Sequence, residues 1–341
     1  MKTIAIIRLS SLGDIVHTLP AFQLLRRHFP EAKITWIAEA PGAALLENFH
    51  GIDEIAVFNL KSRKGVLAKI SFLAGFVYRR RRCFDLLIDF QGLFKSALLA
   101  FLLGGKRLGF CSRNTREPMA ALFYSSRAAF FPEEQHVVFK NIHLLSALGI
   151  REKTVEYPLK EPSPSPRLQQ FFSELDWPAK RYVILNIGGG WPTKVLSASQ
   201  WLEIIGGLKP DYPLVLLWGN KQEGEMAATL ARQSGVALAF FMNFSDLICF
   251  VSRARLVISG DTLALHLAAM TRTPAVGVFG PSSPQRNGPL FPHSRAIFQE
   301  QECSFCYRRE CDTMVCLKNI VIADIVAAAK EMDESTDRKT D

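Results

Sequence analysis

Short apolar runs alternate with longer segments of mixed polarity along most of this chain. The runs are rich in Val, Ile and Leu, as strands buried on both faces of a parallel sheet are. In the first half we predict strands at residues 2–9, 33–38, 55–58, 85–89 and 106–109, and helices at 15–28, 92–103 and 136–148. This alternation is typical of a doubly wound α/β domain.

The second half repeats the alternation after a proline-rich stretch. Residues 157–166 contain four prolines and predict an extended linker. Further strands are predicted at residues 182–187, 214–218, 236–239, 256–258 and 275–279, and helices at 199–208, 222–234 and 263–270. We therefore expect two Rossmann-like domains facing across a cleft, at residues 1–160 and 167–320, then a helix at 321–332 and a disordered tail at 333–341.

Residues 256–288 carry a local signal for a ligand site. The strand at 256–258 is followed by Asp261 and Thr262, which are favourable N-caps for the next helix. In parallel sheets ligands collect at the carboxyl ends of strands, where helix N-termini present free N–H groups. Asp261, Thr262 and His266 therefore suit a ligand that carries phosphate or sugar. An ordinary N-cap with a surface histidine explains the same pattern equally well.

The net charge of the chain limits the kinds of molecule that it is expected to bind. The formal net charge of +9 favours an anionic partner, namely a nucleic acid, an acidic membrane surface or a phosphorylated substrate. No nucleic-acid-binding signature accompanies the charge, so we expect no nucleic acid. The first apolar run is too short for a signal peptide, and the apolar stretch at 84–104 is interrupted by charges. We expect a cytoplasmic protein whose membrane contact is peripheral.

The turn at residues 10–14 joins the first predicted strand to the first helix. It lacks the G-x-G-x-x-G pattern of dinucleotide sites, and the chain contains no Walker A sequence. What the turn offers is a carboxylate, Asp14, at the start of a helix. A simple N-cap is the alternative interpretation of that carboxylate.

Four motifs in order along the chain resemble glycosyltransferase family 9, the ADP-heptose heptosyltransferases of lipopolysaccharide core assembly. The first is Ser10-Ser11-Leu12-Gly13-Asp14 followed by His17-Thr18-Leu19-Pro20. Two more look most like the heptosyltransferase I branch, and they are Asp89-Phe90-Gln91-Gly92-Leu93 with Lys95-Ser96-Ala97, and Thr115-Arg116-Glu117-Pro118 with Leu122-Phe123-Tyr124. The fourth is Asp261-Thr262 with His266-Leu267-Ala268, then Thr273-Pro274 and Phe279-Gly280-Pro281.

The resemblance implies a GT-B fold and an inverting sugar transfer from ADP-heptose that requires no cofactor and no catalytic metal. Asp14 matches the family's catalytic aspartate, which would take the proton from the acceptor hydroxyl. Lys194 matches the family's phosphate-contacting lysine. The other residues expected to bind the donor are Glu223 at the ribose, and Asp261, Thr262, Leu263 and His266 around the sugar and diphosphate.

One position in the donor motif departs from the family pattern. Leu263 follows Asp261 and Thr262 where the family usually has glycine, the residue that permits the closest backbone approach to phosphate. Leucine still offers an N–H group, but its side chain must point away from the ligand. The departure bears on the identity of the donor and the geometry of its diphosphate, rather than on the fold.

Basic residues predict the acceptor side, because the inner core and lipid A carry phosphates and carboxylates. By the resemblance, the Kdo-lipid A acceptor would be contacted by Lys61, Arg63 and Lys64 in a loop, and by Lys95 and Arg116 within the motifs. Arginine can bind a carboxylate through two parallel hydrogen bonds. A solvated loop is the alternative interpretation of Lys61, Arg63 and Lys64.

An apolar helix that ends in four arginines is predicted at residues 66–82. Such a helix suits docking on an anionic bilayer. The alternative is a helix packed in the core, with a basic last turn that complements the helix dipole.

Cys303, Cys306, Cys311 and Cys316 form a C-x2-C-x4-C-x4-C cluster. Thiols at this spacing suit zinc or an iron–sulfur cluster, although the second half is not the usual C-x2-C knuckle. We expect a structural role for them, as free thiols or a metal clip. Seven cysteines in all are too few and too unevenly placed for a disulfide scaffold.

The sequence therefore predicts a heptosyltransferase on the cytoplasmic face of the inner membrane that moves heptose from ADP-heptose to a Kdo hydroxyl of Kdo-lipid A. Two alternatives stay open. One is a family 9 transferase that adds another heptose or acts on another surface glycan. The other is a catalytically inactive nucleotide-sugar-binding protein, against which the joint presence of Asp14, Lys194 and Asp261 argues.

Overall fold

A computed structural model of the protein describes residues 1–175 and 182–337. The chain forms two compact units, and the boundary lies between Glu161 and Pro162. That boundary falls inside the proline-rich stretch at residues 157–166.

The first unit is built around a six-stranded sheet. Its strands are β1 (Thr3–Ile7), β2 (Lys33–Ala38), β3 (Glu54–Val57), β4 (Leu86–Asp89), β5 (Lys106–Gly109) and β6 (Ser126–Arg127), and its helices are α1 (Leu12–His28), α2 (Ala40–Leu46), α3 (Val66–Arg80), α4 (Phe94–Leu103) and α5 (Val137–Leu144). The strand order is β3-β2-β1-β4-β5-β6, and neighbouring strands are parallel. The direction of winding reverses between β1 and β4, which makes that pair the topological switch point.

The second unit repeats this architecture. Its strands are β7 (Val183–Asn186), β8 (Leu214–Leu217), β9 (Ala237–Leu238), β10 (Leu256–Gly260), β11 (Ala275–Phe279) and β12 (Ser294–Phe298), and its helices are α6 (Pro166–Leu175), α7 (Ala198–Leu208), α8 (Lys221–Ser234), α9 (Phe244–Ser252), α10 (Leu263–Thr271), α11 (Pro284–Asn287), α12 (Val315–Lys318) and α13 (Ile322–Asp337). The order is β12-β11-β10-β7-β8-β9, so the winding reverses between β7 and β10.

Helices cover both faces of each sheet, which explains the apolar runs in the sequence. Every residue of β4, β7, β8, β10 and β11 is buried. Strands covered on both faces read as continuous hydrophobic segments rather than as alternating ones. The prediction of a doubly wound parallel α/β fold in both halves is confirmed.

Several short or peripheral elements are absent from the sequence prediction, among them α2, α6, α9, β6 and β12. The two strands lie at sheet edges, where β6 is wholly exposed and β12 is half-exposed, so neither shows a buried apolar run. None of the helices in the part of the chain that the structure describes is both long and apolar enough to cross a bilayer.

The last helix corrects the expected disordered tail. The helix α13 runs on to Asp337, so residues 333–337 are helical. This stretch contains neither glycine nor proline, the residues that most strongly stop a helix. The remaining predicted tail residues, 338–341, lie outside the described residues.

A buried carboxylate organises the turn that follows β4. Asp89 Oδ1 accepts hydrogen bonds from the backbone N–H groups of Gln91, at 2.8 Å, and Gly92, at 3.3 Å. Its Oδ2 accepts one from the Tyr124 hydroxyl at 2.7 Å. Burial raises the pKa of Asp89, and these hydrogen bonds oppose that rise. Gln91 Oε1 in turn accepts the Leu9 N–H at 2.7 Å, which ties the ends of β1 and β4 together at the switch point.

We predict that Tyr124→Phe destabilises the first unit, because it leaves a buried carboxylate oxygen without its hydroxyl donor. A buried polar atom left without its hydrogen-bond partner costs about 1–3 kcal/mol, and we expect a loss in that range. Urea denaturation followed by circular dichroism measures the change. Tyr78→Phe is the matched control, since Tyr78 is 87% exposed. Equal stability of the two variants would contradict this assignment to Asp89 and Tyr124.

Candidate functional site

Asp14 lies in the first turn of α1, at the carboxyl end of β1. Ser11 is the N-cap of this helix, and its N–H and hydroxyl donate to Asp14 Oδ2 at 3.2 and 3.0 Å. The Arg8 Nη2 atom lies 2.8 Å from Asp14 Oδ1. Both this cation and the positive end of the helix dipole stabilise the ionised carboxylate. The side chain nevertheless remains 39% exposed, so it can reach a ligand proton.

Arg8 is a positioning residue that the sequence analysis missed. It is 8% exposed, and its Nη1 donates to the Phe90 carbonyl, just beyond β4. The guanidinium thus spans the switch point and holds Asp14 against it. The signal in the sequence is a charged residue at the end of an otherwise apolar strand, since arginine is rarely buried without a partner.

Two of the five predicted acceptor residues converge on one carboxylate. Lys61 Nζ lies 3.1 Å from Glu39 Oε1, and Lys95 Nζ lies 3.8 Å from the same atom. Glu39 directly follows β2, and its N–H donates to the Leu9 carbonyl at 3.0 Å. The two lysine side chains remain 68% and 45% exposed, so both ammonium groups are accessible to a ligand. This cluster lies at the same edge of the sheet as Asp14.

Arg116 reaches the same edge through the loop after β5. Its N–H donates to the Gly92 carbonyl at 3.1 Å, and its side chain is exposed. Gly92 has φ +65°, and a Cβ there would lie 3.4 Å from the Thr115 Cα, so the two loops pack backbone to backbone. Lys64 is exposed, while the Arg63 guanidinium carbon lies 4.8 Å from the centre of the Phe72 ring.

In the second unit, three nitrogen donors surround Asp261. Lys194 Nζ lies 2.5 Å from its Oδ2, and His266 Nε2 lies 3.3 Å from its Oδ1. The amide of Asn287, at the end of α11, donates to Oδ2 at 3.3 Å. Lys194 follows β7 and Asp261 follows β10, so the pair lies across the switch point. The structure thus joins three of the predicted donor residues and adds Asn287, which sequence reasoning missed.

The contacts around Asp261 favour the ionised form of its carboxylate. The side chain of Asp261 is 3% exposed. Burial by itself would raise the pKa of Asp261, but hydrogen bonding and charge from His266 and Lys194 hold that pKa well below its usual range. Lys194 Nζ also donates to the Asp261 carbonyl at 3.2 Å. An ammonium group has three N–H donors, which leaves Lys194 one for a ligand phosphate.

The N-terminus of α10 is prepared for an anion by neighbouring polar groups. The Asn186 amide donates to Ser259 Oγ at 2.9 Å and to Thr262 Oγ1 at 3.0 Å. Thr262 is the N-cap, yet its side chain makes no capping bond to α10. The N–H groups of the first turn therefore remain for a ligand. Leu263, which opens the helix, is half-buried.

Gly260 allows the Lys194 segment to approach β10. A Cβ at this position would lie 2.7 Å from the Lys194 carbonyl oxygen, which is closer than side-chain carbons come to such atoms. The strand must therefore end in glycine for the lysine to reach Asp261.

Glu223 joins the loops that follow β7 and β8. Its Oε1 accepts the Gly189 N–H at 3.1 Å, and its Oε2 accepts the Gly219 N–H at 2.7 Å. Oε1 also accepts a hydrogen bond from the Asn220 amide at 2.6 Å. A carboxylate oxygen has two lone pairs, so Oε2 retains one that can accept from a sugar hydroxyl. The predicted ribose contact therefore lies at the same edge of the sheet as Asp261, and in the structure it also holds two loops.

The cysteine-containing segment carries a cation toward Lys194. The Thr193 hydroxyl donates to the Arg308 carbonyl at 2.8 Å. The Trp191 ring has Lys194 Nζ at 4.4 Å and the Arg309 guanidinium carbon at 5.1 Å from its centre. Sequence reasoning missed Arg309 as a neighbour of the donor residues, because only the folded segment brings it there.

The four clustered cysteines are free thiols, of which Cys316 is buried, Cys311 half-buried, and Cys303 and Cys306 exposed. Burial raises the pKa of Cys316, and the neighbouring thiols raise it further. Within residues 1–175 and 182–337, no three His, Cys, Asp or Glu side chains are grouped as metal ligands. A metal clip at these cysteines stays a prediction.

Known proteins that are similar to this chain include members of the family that its motifs resemble. The family model for glycosyltransferase family 9 (heptosyltransferase) matches residues 79–316. Lipopolysaccharide heptosyltransferase 1 of Pseudomonas aeruginosa is 27% identical over 317 residues, which are 90% of this chain and 87% of that protein. The heptosyltransferase 1 of Escherichia coli K12 is 29% identical over 292 residues, which are 82% of this chain and 88% of that protein.

Solved structures show the same fold. Escherichia coli heptosyltransferase WaaC with ADP superposes with a TM-score of 0.76 at 24% identity, covering 97% of this chain and 99% of that one. The same enzyme with ADP-2-deoxy-2-fluoro heptose gives a TM-score of 0.74 at 23% identity, covering 98% and 99%. The predicted GT-B class is thereby confirmed.

We predict that Asp261 gives the protein a specific acid sensitivity. Because the pKa of Asp261 is lower in the folded than in the unfolded protein, its contribution to stability is present above the ordinary value of 3.8. That contribution is lost as the pH falls toward the folded pKa. Between about pH 5 and about pH 3, the free energy of unfolding should fall more steeply in wild type than in Asp261→Asn, by up to about 1.4 kcal/mol per pH unit.

Urea denaturation at several pH values within that window measures both slopes. The exposed carboxylate Asp312 supplies the control, because Asp312→Asn should keep the wild-type slope. An Asp261→Asn slope equal to that of wild type would show that the buried cluster does not hold the carboxylate ionised.

Proposed function

We propose a specific reaction for this chain, which belongs to glycosyltransferase family 9 and is therefore a glycosyltransferase. It transfers heptose from ADP-heptose to a Kdo residue of Kdo-lipid A, with inversion at the anomeric carbon. The observation that carries this proposal is the cluster of Lys194, Asp261 and His266 beside the open N-terminus of α10. Relatives over most of the chain that are named heptosyltransferase 1 support the choice of sugar and acceptor.

In this proposal the second unit binds the donor. The free N–H of Lys194 and the first-turn N–H groups of α10 bind the diphosphate, where negative charge grows as the bond to the sugar breaks. Asp261, kept ionised by its neighbours, accepts hydrogen bonds from heptose hydroxyls. Glu223 binds the ribose diol, and Leu263 contributes its backbone N–H.

The first unit supplies the base. Asp14 takes the proton of the acceptor hydroxyl while the hydroxyl oxygen bonds to the anomeric carbon of the donor. The bond between that carbon and the β-phosphate oxygen breaks, and its electron pair leaves with ADP. Arg8 orients the Asp14 carboxylate through their ion pair, and a general base must be so positioned to accept a proton.

The acceptor is bound at the same edge of the first sheet. Lys61, Lys95 and Arg116 present exposed cations there, and Arg63 and Lys64 lie in the adjoining loop. Such a set suits the phosphates and carboxylates of Kdo-lipid A. Because lipid anchors this acceptor, we place the reaction at the membrane, peripherally on the cytoplasmic face of the inner membrane.

Leu263 favours a second candidate function, the transfer of another sugar or transfer to another surface glycan. Its side chain replaces the hydrogen of the glycine expected at this position, and so changes the space beside the donor diphosphate. A screen of sugar nucleotides against Kdo-lipid A and its heptosylated product distinguishes the two candidates. Binding of a sugar nucleotide without turnover on any acceptor would instead indicate a protein that has lost catalysis.

We predict that Asp14→Asn slows heptose transfer by at least about a hundredfold, because removal of a general base costs roughly that much. The amide keeps the size of the side chain and an oxygen that accepts from Ser11. Donor affinity should therefore stay within about twofold of wild type, since the donor residues lie in the other unit. Release of ADP measures the rate, and calorimetry measures donor affinity.

The control for this variant is Glu152→Gln, a change to a carboxylate with 57% side-chain exposure in the same unit. It should keep wild-type turnover. Near-normal turnover of Asp14→Asn would refute the role of Asp14 as base.

A further inference from the structure

The segment from Lys61 to Arg82 has an extreme charge pattern. It contains eight lysines and arginines, and no aspartate or glutamate occurs anywhere between residues 55 and 84. Most of this segment is the helix α3. The ordinary interpretations of such a pattern are a solvated loop and a helix packed into the core, and the burial of its side chains tests both.

One face of α3 is a core face. Phe76 is 2% exposed and packs with Phe58 and the half-buried Phe72, at ring-centre distances of 4.9 and 6.2 Å. Arg80 completes this face, since its Nη2 lies 3.1 Å from Glu54 Oε1 and its guanidinium carbon lies 4.7 Å from the centre of the Phe76 ring. The core interpretation is therefore sufficient for these residues.

The opposite face of α3 is exposed and mainly apolar, although it also carries the exposed Ser71. Leu67 is 83% exposed, Ile70 58% and Tyr78 87%, and Ala74 between them is also exposed. Residues at spacings of three, four and four positions lie on one side of a helix. A solvated face would be polar, so neither ordinary interpretation explains these side chains.

Exposed cations lie at the C-terminal end of this apolar face. Arg79, Arg81 and Arg82 are all exposed. A helix with exposed apolar side chains, clustered basic residues and no acidic ones matches the interface of an anionic bilayer. There the apolar side chains contact the acyl chains and the basic side chains contact the lipid phosphates. A protein partner would require no such uniform charge.

We propose that the outer face of α3, formed by Leu67, Ile70, Ala74 and Tyr78, docks on the surface of an anionic lipid bilayer. Arg79, Arg81 and Arg82 contact the lipid phosphates. The docking helix begins directly after the loop that holds Lys61 and Lys64, and it would bring that loop to the membrane surface. The inference depends on the proposed function only for the purpose of docking, namely access to a lipid-anchored acceptor.

Flotation of the full chain with lipid vesicles tests the proposal. The wild-type protein should bind vesicles of phosphatidylcholine mixed with an equal amount of phosphatidylglycerol, and bind phosphatidylcholine vesicles at least about tenfold more weakly. Leu67→Glu/Ile70→Glu and Arg79→Gln/Arg81→Gln should each lower the partition coefficient on the mixed vesicles by at least about tenfold. Circular dichroism checks that each variant is folded.

Matched controls change the same chemistry elsewhere. Val321→Glu replaces an exposed apolar residue of the second unit, and Arg232→Gln/Lys318→Gln removes two exposed cations there. These controls should bind as wild type does. Absence of wild-type binding to the mixed vesicles, or equal binding by the folded Leu67→Glu/Ile70→Glu variant, overturns the proposal. The vesicles contain no sugar nucleotide and no glycan, so neither outcome depends on transferase activity.

Discussion

A carboxylate buried among nitrogen donors is the interaction on which the site in the second unit depends. Removing Asp261 from water is unfavourable unless the charge is compensated. Lys194, His266 and Asn287 provide that compensation. Loss of one partner in such a buried pair destabilises a protein by about 3–5 kcal/mol. The same contacts hold the turn that carries Lys194 beside the N-terminus of α10, so under the proposed function the groups that bind the diphosphate are positioned in advance.

Topology explains why chemistry gathers where it does in each unit. Both sheets reverse their winding once, between β1 and β4 and between β7 and β10. Adjacent helices diverge at such a point, and the carboxyl ends of the strands leave a crevice. The first unit uses this place for Arg8 and Asp14. The second unit places Lys194 and Asp261 at its own switch point, so the same topological feature positions the candidate site residues in both units.

The fold could be predicted from local sequence, and so could the ligand signal at Asp261, Thr262 and His266, whereas the other candidate site residues were implied by the motif resemblance. Buried strands are recognisable as apolar runs. Asp261 directly follows such a strand, and Asp14 lies in the first turn of the helix that follows another. Local sequence could not predict that Arg8 spans two strands, that Asn287 returns to Asp261, or that Arg309 reaches Trp191. Those contacts join distant segments, and folding alone sets their partners. Edge strands such as β12 were not predicted, because they bury little apolar surface and therefore show no apolar run in the sequence.

Under the proposed function, the cluster around Asp261 binds a nucleotide sugar. The most direct test is a crystal structure of this protein with ADP-2-deoxy-2-fluoro heptose bound. We predict that the diphosphate lies within hydrogen-bond distance of Lys194 Nζ and of the first backbone N–H groups of α10, with heptose hydroxyls on Asp261. A diphosphate bound elsewhere, with neither Lys194 nor Asp261 in contact with the ligand, would contradict this proposal.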